Sequence, residues 1–213
     1  MLDVRAYLDR IAYQGSTAPT LDNLRAIHYA HLLAVPFENL DIARGRKIVL
    51  DEEALIRKIV EHRRGGFCYE LNGAFAALLR SLGFQVTLLS ARVARDAGGE
   101  GPEFDHLCLR VDLAEPWLAD VGFGESFAKP LQLQTDVEQA DSVGIFRIAQ
   151  LGDRLQLEKK ATDGDWKRQY SFTLQSRRLD EFGSMCHYHQ TSPESHFTQK
   201  KFVPARPTTD ESL

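Results

Sequence analysis

The chain predicts an α+β fold, an N-terminal helical bundle followed by an antiparallel β-barrel-like domain. Apolar residues recur at helical spacing as far as Leu82, and after Gly83 the period changes to two. At 213 residues, 43% hydrophobic and 26% charged, the chain is long and apolar enough for one or two cores.

The first helix is expected over Leu2 to Tyr13, and the second over Leu21 to Leu33 with Thr20 as its cap. A third runs from Glu52 to His62, capped by Asp51. The fourth carries Phe67, Leu71, Phe75, Leu78, Leu79 and Leu82 on one stripe and ends at Gly83. Six strands with polar turns then read as a meander: Gln85 to Val93, Leu107 to Leu113, Trp117 to Val121, Gly144 to Gln150, Arg154 to Glu158 and Trp166 to Thr173. The loop Asp96 to Phe104 is mobile on composition and lies just before His106, where it would gate a site. A short helical segment near Leu179 to Tyr188 leads into Ser192 and Pro193, which resemble a cap and first-turn proline.

Charge and targeting signals exclude several classes. A net charge of −4 offers no drive toward nucleic acid or an anionic membrane. Three cysteines, no signal peptide and no bilayer-length apolar run suit a reducing cytoplasm. Cys108 and Cys186 are expected as unpaired core thiols. The cluster Cys186 to His189 lacks a second ligand pair, so no metal is expected. His28, His31, His62 and His196 read as surface or packing residues.

Chemistry concentrates at Cys68 in RGGFCYELN. Gly65 and Gly66 let the chain turn sharply into the fourth helix, whose first turn holds Cys68. Unpaired N–H groups and the helix dipole favour a thiolate there. In DHLCLRVDL, Leu107, Leu109, Val111 and Leu113 share one strand face, and His106, Cys108 and Arg110 share the other. An odd-numbered turn such as Ala114 to Pro116 would bring Asp120 of the returning strand onto the His106 face. Asp120 would hold one ring nitrogen of His106, and the other would take the Cys68 proton. Cys, His and Asp in this order, on a helix and two successive strands, make a cysteine-protease-like core of papain-like or transglutaminase-like architecture. Peptidase, amidase, cross-linking and acyl-transfer activities all stay open on these residues.

Four ordered motifs narrow the choice: LRAIHYAHLLAVPFENLDI (Leu24 to Ile42), RGGFCYELN, DVGFG (Asp120 to Gly124) and SPESHF (Ser192 to Phe197). Together they resemble the arylamine N-acetyltransferases over nearly the whole chain. The resemblance implies that Cys68 takes acetyl from acetyl-CoA as the co-substrate, with His106 its base and Asp120 the orienting carboxylate. The acetyl group then passes to an arylamine, arylhydroxylamine or hydrazine nitrogen. It further implies that Glu38 pairs with Arg64 to hold the cysteine loop, and that Phe37, Phe67, Val93, Phe123 and Phe197 wall the acceptor pocket. Gly124 and Phe104 would face CoA, whose phosphates have candidates in Arg92, Arg95, Lys129, Lys200 and Lys201.

On this basis residues 1–84 form a helical domain with the nucleophile and 85–175 a β domain with His106 and Asp120. Residues 176–213 begin a third, α/β lid domain that the resemblance implies is truncated, since family members usually continue further. An open site could then hydrolyse acetyl-CoA, and uncovered apolar surface could drive homo-oligomer formation. A transglutaminase-like enzyme and a disabled remnant stand as the alternatives.

Overall fold

A computed structural model describes residues 2–95, 98–124 and 126–202. The helical part opens with α1 (Val4–Arg10), where the Asp3 carboxylate accepts the Ala6 N–H and stops the helix from starting earlier. Next come α2 (Leu21–Ala34), capped by Thr20, and the short α3 (Leu40–Ala43). Asp51 caps α4 (Glu52–Ile56), which widens into a π-helical turn over Arg57–Glu61. The cysteine helix α5 (Cys68–Ser81) is buried along nearly its entire length.

Among the described residues eight strands form one antiparallel sheet in the order β4-β3-β2-β1-β8-β7-β6-β5. They are β1 (Gln85–Val93), β2 (His106–Asp112), β3 (Pro116–Ala119), β4 (Leu131–Gln132), β5 (Gln139–Asp141), β6 (Gly144–Leu151), β7 (Arg154–Lys160) and β8 (Trp166–Phe172). The two edge strands meet through side chains: Gln139 Oε1 accepts the Gln132 N–H at 2.7 Å, and Gln139 Nε2 donates to the Gln132 carbonyl at 2.9 Å. The sheet therefore curls into a nearly closed barrel, which protects its edges. β4 and β5 are missing from the sequence-based assignment because two- and three-residue strands carry no readable period.

The alternation of β2 divides two cores. Leu107, Leu109 and Val111 pack with α5 and the other helices. Cys108 points into the barrel with Leu89, Leu118, Phe146, Leu157 and Phe172. A 3₁₀ turn (Leu179–Phe182), α6 (Gly183–Thr191) and α7 (His196–Gln199) complete the described chain. Phe182, Cys186 and Phe197 from this segment join the helical core, so that core draws on all three stretches of sequence. The remainder of the expected lid, residues 203–213, lies outside the described residues. No helix among those described is long and apolar enough to cross a membrane.

Candidate active site

Cys68 opens α5, immediately after Phe67. Phe67 has no oxygen with which to cap a helix; instead the Glu70 carboxylate reaches back to its N–H at 3.1 Å. The preceding glycines serve close approach, since a Cβ on Gly65 would run into the Pro36 carbonyl. That contact belongs to a small backbone junction, in which Glu38 N–H donates to Gly66 O at 2.8 Å and Gly66 N–H to Pro36 O at 3.3 Å.

A buried ion network underlies the junction. Arg64 Nη2 lies 2.6 Å from Glu38 Oε1, the pair that the family resemblance implies. The same guanidinium also bonds Asp41 at 3.1 Å, and Lys58, on the π-helical turn, bridges Asp41 at 2.8 Å and Glu70 at 2.7 Å. Burial pushes the Glu70 carboxyl up to about 7 despite Lys58, whereas Lys58, facing two carboxylates, is raised against its own burial.

The β2–β3 register pairs Leu109 with Ala119 and Asp112 with Pro116, leaving a three-residue turn. Asp120 lies one residue past β3 and on the His106 side, because opposed residues share parity. His106 Nε2–H donates to Asp120 Oδ2 at 2.7 Å, and the Tyr170 hydroxyl donates to the same oxygen at 2.9 Å. Asp120 Oδ1 accepts from Asn72 Nδ2 at 2.8 Å and from Gly122 N–H at 2.9 Å. Burial alone would raise this carboxyl, but His106 and these donors outweigh it and hold Asp120 below the ordinary value. Because Nε2 is committed to a carboxylate, Nδ1 is the ring nitrogen left for other chemistry.

Several residues of this arrangement were not singled out from sequence. Asn72, one turn after Cys68, also donates to Leu107 O at 2.7 Å and accepts Val121 N–H at 3.0 Å, fastening α5 to β2 and to the Asp120 loop. Gly122 completes the fit, since a Cβ there would lie 2.9 Å from Cys68 Cα. His28, read from sequence as a surface or packing residue, does pack, 5.8 Å from both Phe75 and Phe127, but it also bonds the backbone at the site. Its ring is buried, Nδ1 lies 3.0 Å from Ala128 O, and Nε2 lies 3.2 Å from Asp120 N–H. Burial keeps its pKa below the usual value, and a neutral ring protonated on Nδ1 satisfies both neighbours. The signal was present: His28 falls on the apolar stripe of α2 with Leu24, Ile27 and His31.

Other expectations need correcting. Cys68 is 3% exposed, and burial, with the charges of Asp105 and Asp120, pushes its thiol well up; only the Tyr69 N–H at the start of the helix opposes them among the named causes. Helix position alone thus does not yield a ready thiolate. Among the described residues Cys68 Sγ makes no hydrogen bond to His106; Asn72 and Gly122 join the two segments. The five apolar residues fall into two clusters. Phe197 lies 5.5 Å from Phe67 and 6.2 Å from Phe37, whereas Phe123 packs 5.0 Å from His106 and 4.9 Å from Tyr170. Val93 and Phe123 line a cavity of about 570 Å³ with Arg95, Trp166, Lys167 and Arg168.

Phe104 turns its ring to Phe182, 5.1 Å away, with the Arg177 guanidinium over it, so that ring is packing rather than open to a ligand. Gly124 is exposed at φ +72° with open space beside it. Arg92 is 3.7 Å from Glu103, Lys129 lines a different cavity with Arg25 and Trp117, and Lys200 and Lys201 are exposed. The expected gating loop is tethered at its described residues, where Gly101 N–H bonds Val93 O at 2.7 Å and Phe104 N–H bonds Ser90 Oγ at 2.8 Å. Asp96 and Ala97 lie outside the described residues.

Known proteins share this design. A family model described as N-acetyltransferase matches residues 20–213. An arylamine N-acetyltransferase / N-hydroxyarylamine O-acetyltransferase of Salmonella typhimurium is 38% identical over 196 residues, covering 91% of this chain and 69% of the relative. The Mycolicibacterium smegmatis arylamine N-acetyltransferase is 39% identical, covering 92% and 74%. The solved structure of the enzyme from M. tuberculosis superposes with a TM-score of 0.88 at 35% identity, over 93% of this chain and 76% of that one. The Mycobacterium marinum enzyme in complex with CoA gives 0.86 at 37%, over 92% and 74%. With identity above 30% across most of both chains, the protein belongs to the arylamine N-acetyltransferase family, enzymes of the acyltransferase class.

Proposed function

We propose that Cys68 carries the acetyl group between acetyl-CoA and the nitrogen of an arylamine, arylhydroxylamine or hydrazine. The observation that carries this reading is the 2.7 Å His106–Asp120 bond beside a helix whose first residue is Cys68. In the first half-reaction His106 Nδ1 takes the Cys68 proton as sulfur bonds to the acetyl carbon. The carbon–sulfur bond to CoA then breaks, and CoA leaves as the thiol with that proton. In the second, the amine nitrogen attacks the thioester, the Cys68–acetyl bond breaks, and the amine's proton returns through His106 to sulfur. Burial pushes the Cys68 thiol up, and transfer of its proton to His106 Nδ1 is what makes the sulfur nucleophilic. Asp120 keeps the ring in one tautomer and stabilises the imidazolium. The Cys68 N–H, at the first helical position, is an oxyanion donor in this scheme.

The 570 Å³ cavity suits the donor: Arg95, Lys167 and Arg168 supply cations for phosphates, and Val93 and Phe123 lead toward His106. Glu38 and Arg64 support the cysteine loop, and Phe37, half-buried over the buried rings of Phe67 and Phe197, gives the acceptor an aromatic side. The helical, β and lid divisions at residues 84 and 175 belong to this reading.

The test is CoA thiol release from acetyl-CoA with and without 4-aminosalicylate, with Cys68→Ala as the blank and intact mass as a second readout. Release that the amine stimulates, with one acetyl group on the Cys68 peptide in its absence, is expected. Amine-independent release would indicate hydrolysis, and no Cys68-dependent release would remove the proposal.

A further inference from the structure

His106 is the first residue of β2, opposite Ala91 of β1, so the sheet ladder holds it from one side only. Ahead of it the chain leaves the ladder through Phe104, which sits at φ +65°, in the left-handed region where a side chain is strained. A strained turn persists only where its surroundings hold it. Two bonds grip the Phe104 peptide groups. Phe104 N–H donates to Ser90 Oγ at 2.8 Å, and the Tyr69 hydroxyl donates to Phe104 O at 2.7 Å, with Asp105 O 3.2 Å away. Tyr69 is fully buried, and burial raises its pKa well above the usual value, so the hydroxyl stays a donor at neutral pH. Ser90 belongs to β1, whereas Tyr69 belongs to α5 and follows Cys68 directly. With Asn72 Nδ2 on Leu107 O at 2.7 Å, the start of α5 thus holds the backbone carbonyls on both sides of His106.

We propose that Tyr69 is a positioning residue for His106: its hydroxyl fixes the Phe104 turn, and with it the place of the imidazole relative to the cysteine that precedes Tyr69 in the chain. The proposal rests on Cys68 and His106 being the reacting pair. Their side chains share no hydrogen bond among the described residues, so backbone contacts between α5 and the start of β2 set their separation. A misplacement of about 1 Å at such a pair costs up to about 100-fold in rate. The Tyr69 ring packs edge-on to Phe67 at 5.0 Å and lies 5.8 Å from Phe182, contacts that a phenylalanine would keep. Tyr69→Phe therefore removes one neutral hydroxyl and no charge. A change in Cys68 ionisation in that variant reports geometry.

The test follows the pH dependence of Cys68 alkylation by iodoacetamide in the full chain, with peptide mapping to separate Cys108 and Cys186, beside kcat and KM for amine-dependent CoA release. Tyr69→Phe is expected to raise the alkylation midpoint by about half a unit, slowing the reaction at pH 7 about threefold. Its kcat falls about tenfold while its KM values stay within about twofold. His106→Asn raises the midpoint further, and adding Tyr69→Phe to it moves the midpoint no more. A folded Tyr69→Phe with an unmoved midpoint overturns the proposal even if its unfolding temperature drops, and so does an equal rise in the His106→Asn background. If Tyr69→Phe does not fold, Ser90→Ala decides: it frees the same turn from the barrel side, so a raised midpoint supports the role and an unmoved one overturns it. An unreactive wild-type Cys68, or a midpoint indifferent to His106→Asn, removes the reacting pair and this role together. A midpoint that answers to His106→Asn but not to Tyr69→Phe removes this role only.

Discussion

Asp120 has both carboxylate oxygens fully engaged, by His106 and Tyr170 on one and by Asn72 and Gly122 on the other. These donors are not equal in consequence. Asp120→Asn would present an amide to His106 and favour the wrong tautomer; it is expected to cost acetyl transfer about 10³- to 10⁴-fold. Tyr170→Phe removes one of four donors and leaves the ring in place, for a loss of about three- to tenfold. Rates of amine-dependent CoA release for the two variants measure the contrast, and similar losses would mean that Asp120 does not set the tautomer. At this scale the His106–Asp120 contact and the place of Cys68 at a helix start were legible because each sits in a local pattern, a helix start or a strand of fixed parity. Asn72 and Tyr170 were not, because their roles exist only where α5, β2 and β8 meet.

Among the elements, α5 bears the burden of the site, and its first turn is anchored by a carboxyl whose protonation the fold favours. Glu70, ordinarily near 4.5, titrates at about 7 in the folded chain because of burial. A raised folded value means that the folded state binds the proton more tightly than the unfolded chain does. Its contribution to stability is therefore full below about pH 4.5 and is lost as pH rises through about 7. That decline amounts to about 3 kcal/mol and is absent from Glu70→Gln. Urea unfolding of both proteins between pH 4 and about 8 checks this, and parallel stability curves would refute it. The helix caps Thr20 and Asp51 were visible in the sequence. The widening of α4 into a π turn was not, since it serves Lys58's contacts with Asp41 and Glu70 rather than any local preference.

At the scale of the whole molecule, the barrel and the helices share their interface residues. Leu88, Leu107, Leu109, Val111, Trp117 and Ala119 pack into the helical core while their strand neighbours fill the barrel. His28 adds a polar link from α2 to Asp120 and Ala128. Calorimetry is accordingly expected to show one unfolding transition, with equal calorimetric and van't Hoff enthalpies, and two resolved transitions would argue against a shared core. The fold class was legible because the change of period at Gly83 is abrupt. The barrel-like form was expected with it, but the contact that closes the barrel was not, since it runs through Gln132 and Gln139, two amides with no apolar pattern around them.

The grip on Asn72 also protects the chain chemically. Asn72 is followed by Gly73, a pair prone to deamidation because the unhindered glycine nitrogen can attack the side-chain amide and form a succinimide. In the folded protein that amide is fully buried and pinned by Leu107, Asp120 and Val121, so it cannot swing toward its own backbone. Each excursion to the unfolded chain releases it, and hydrolysis then leaves an aspartate or isoaspartate that would meet Asp120 with a second negative charge. Deamidation at this peptide should thus record cumulative time spent unfolded and rise together with irreversible loss of activity during thermal ageing.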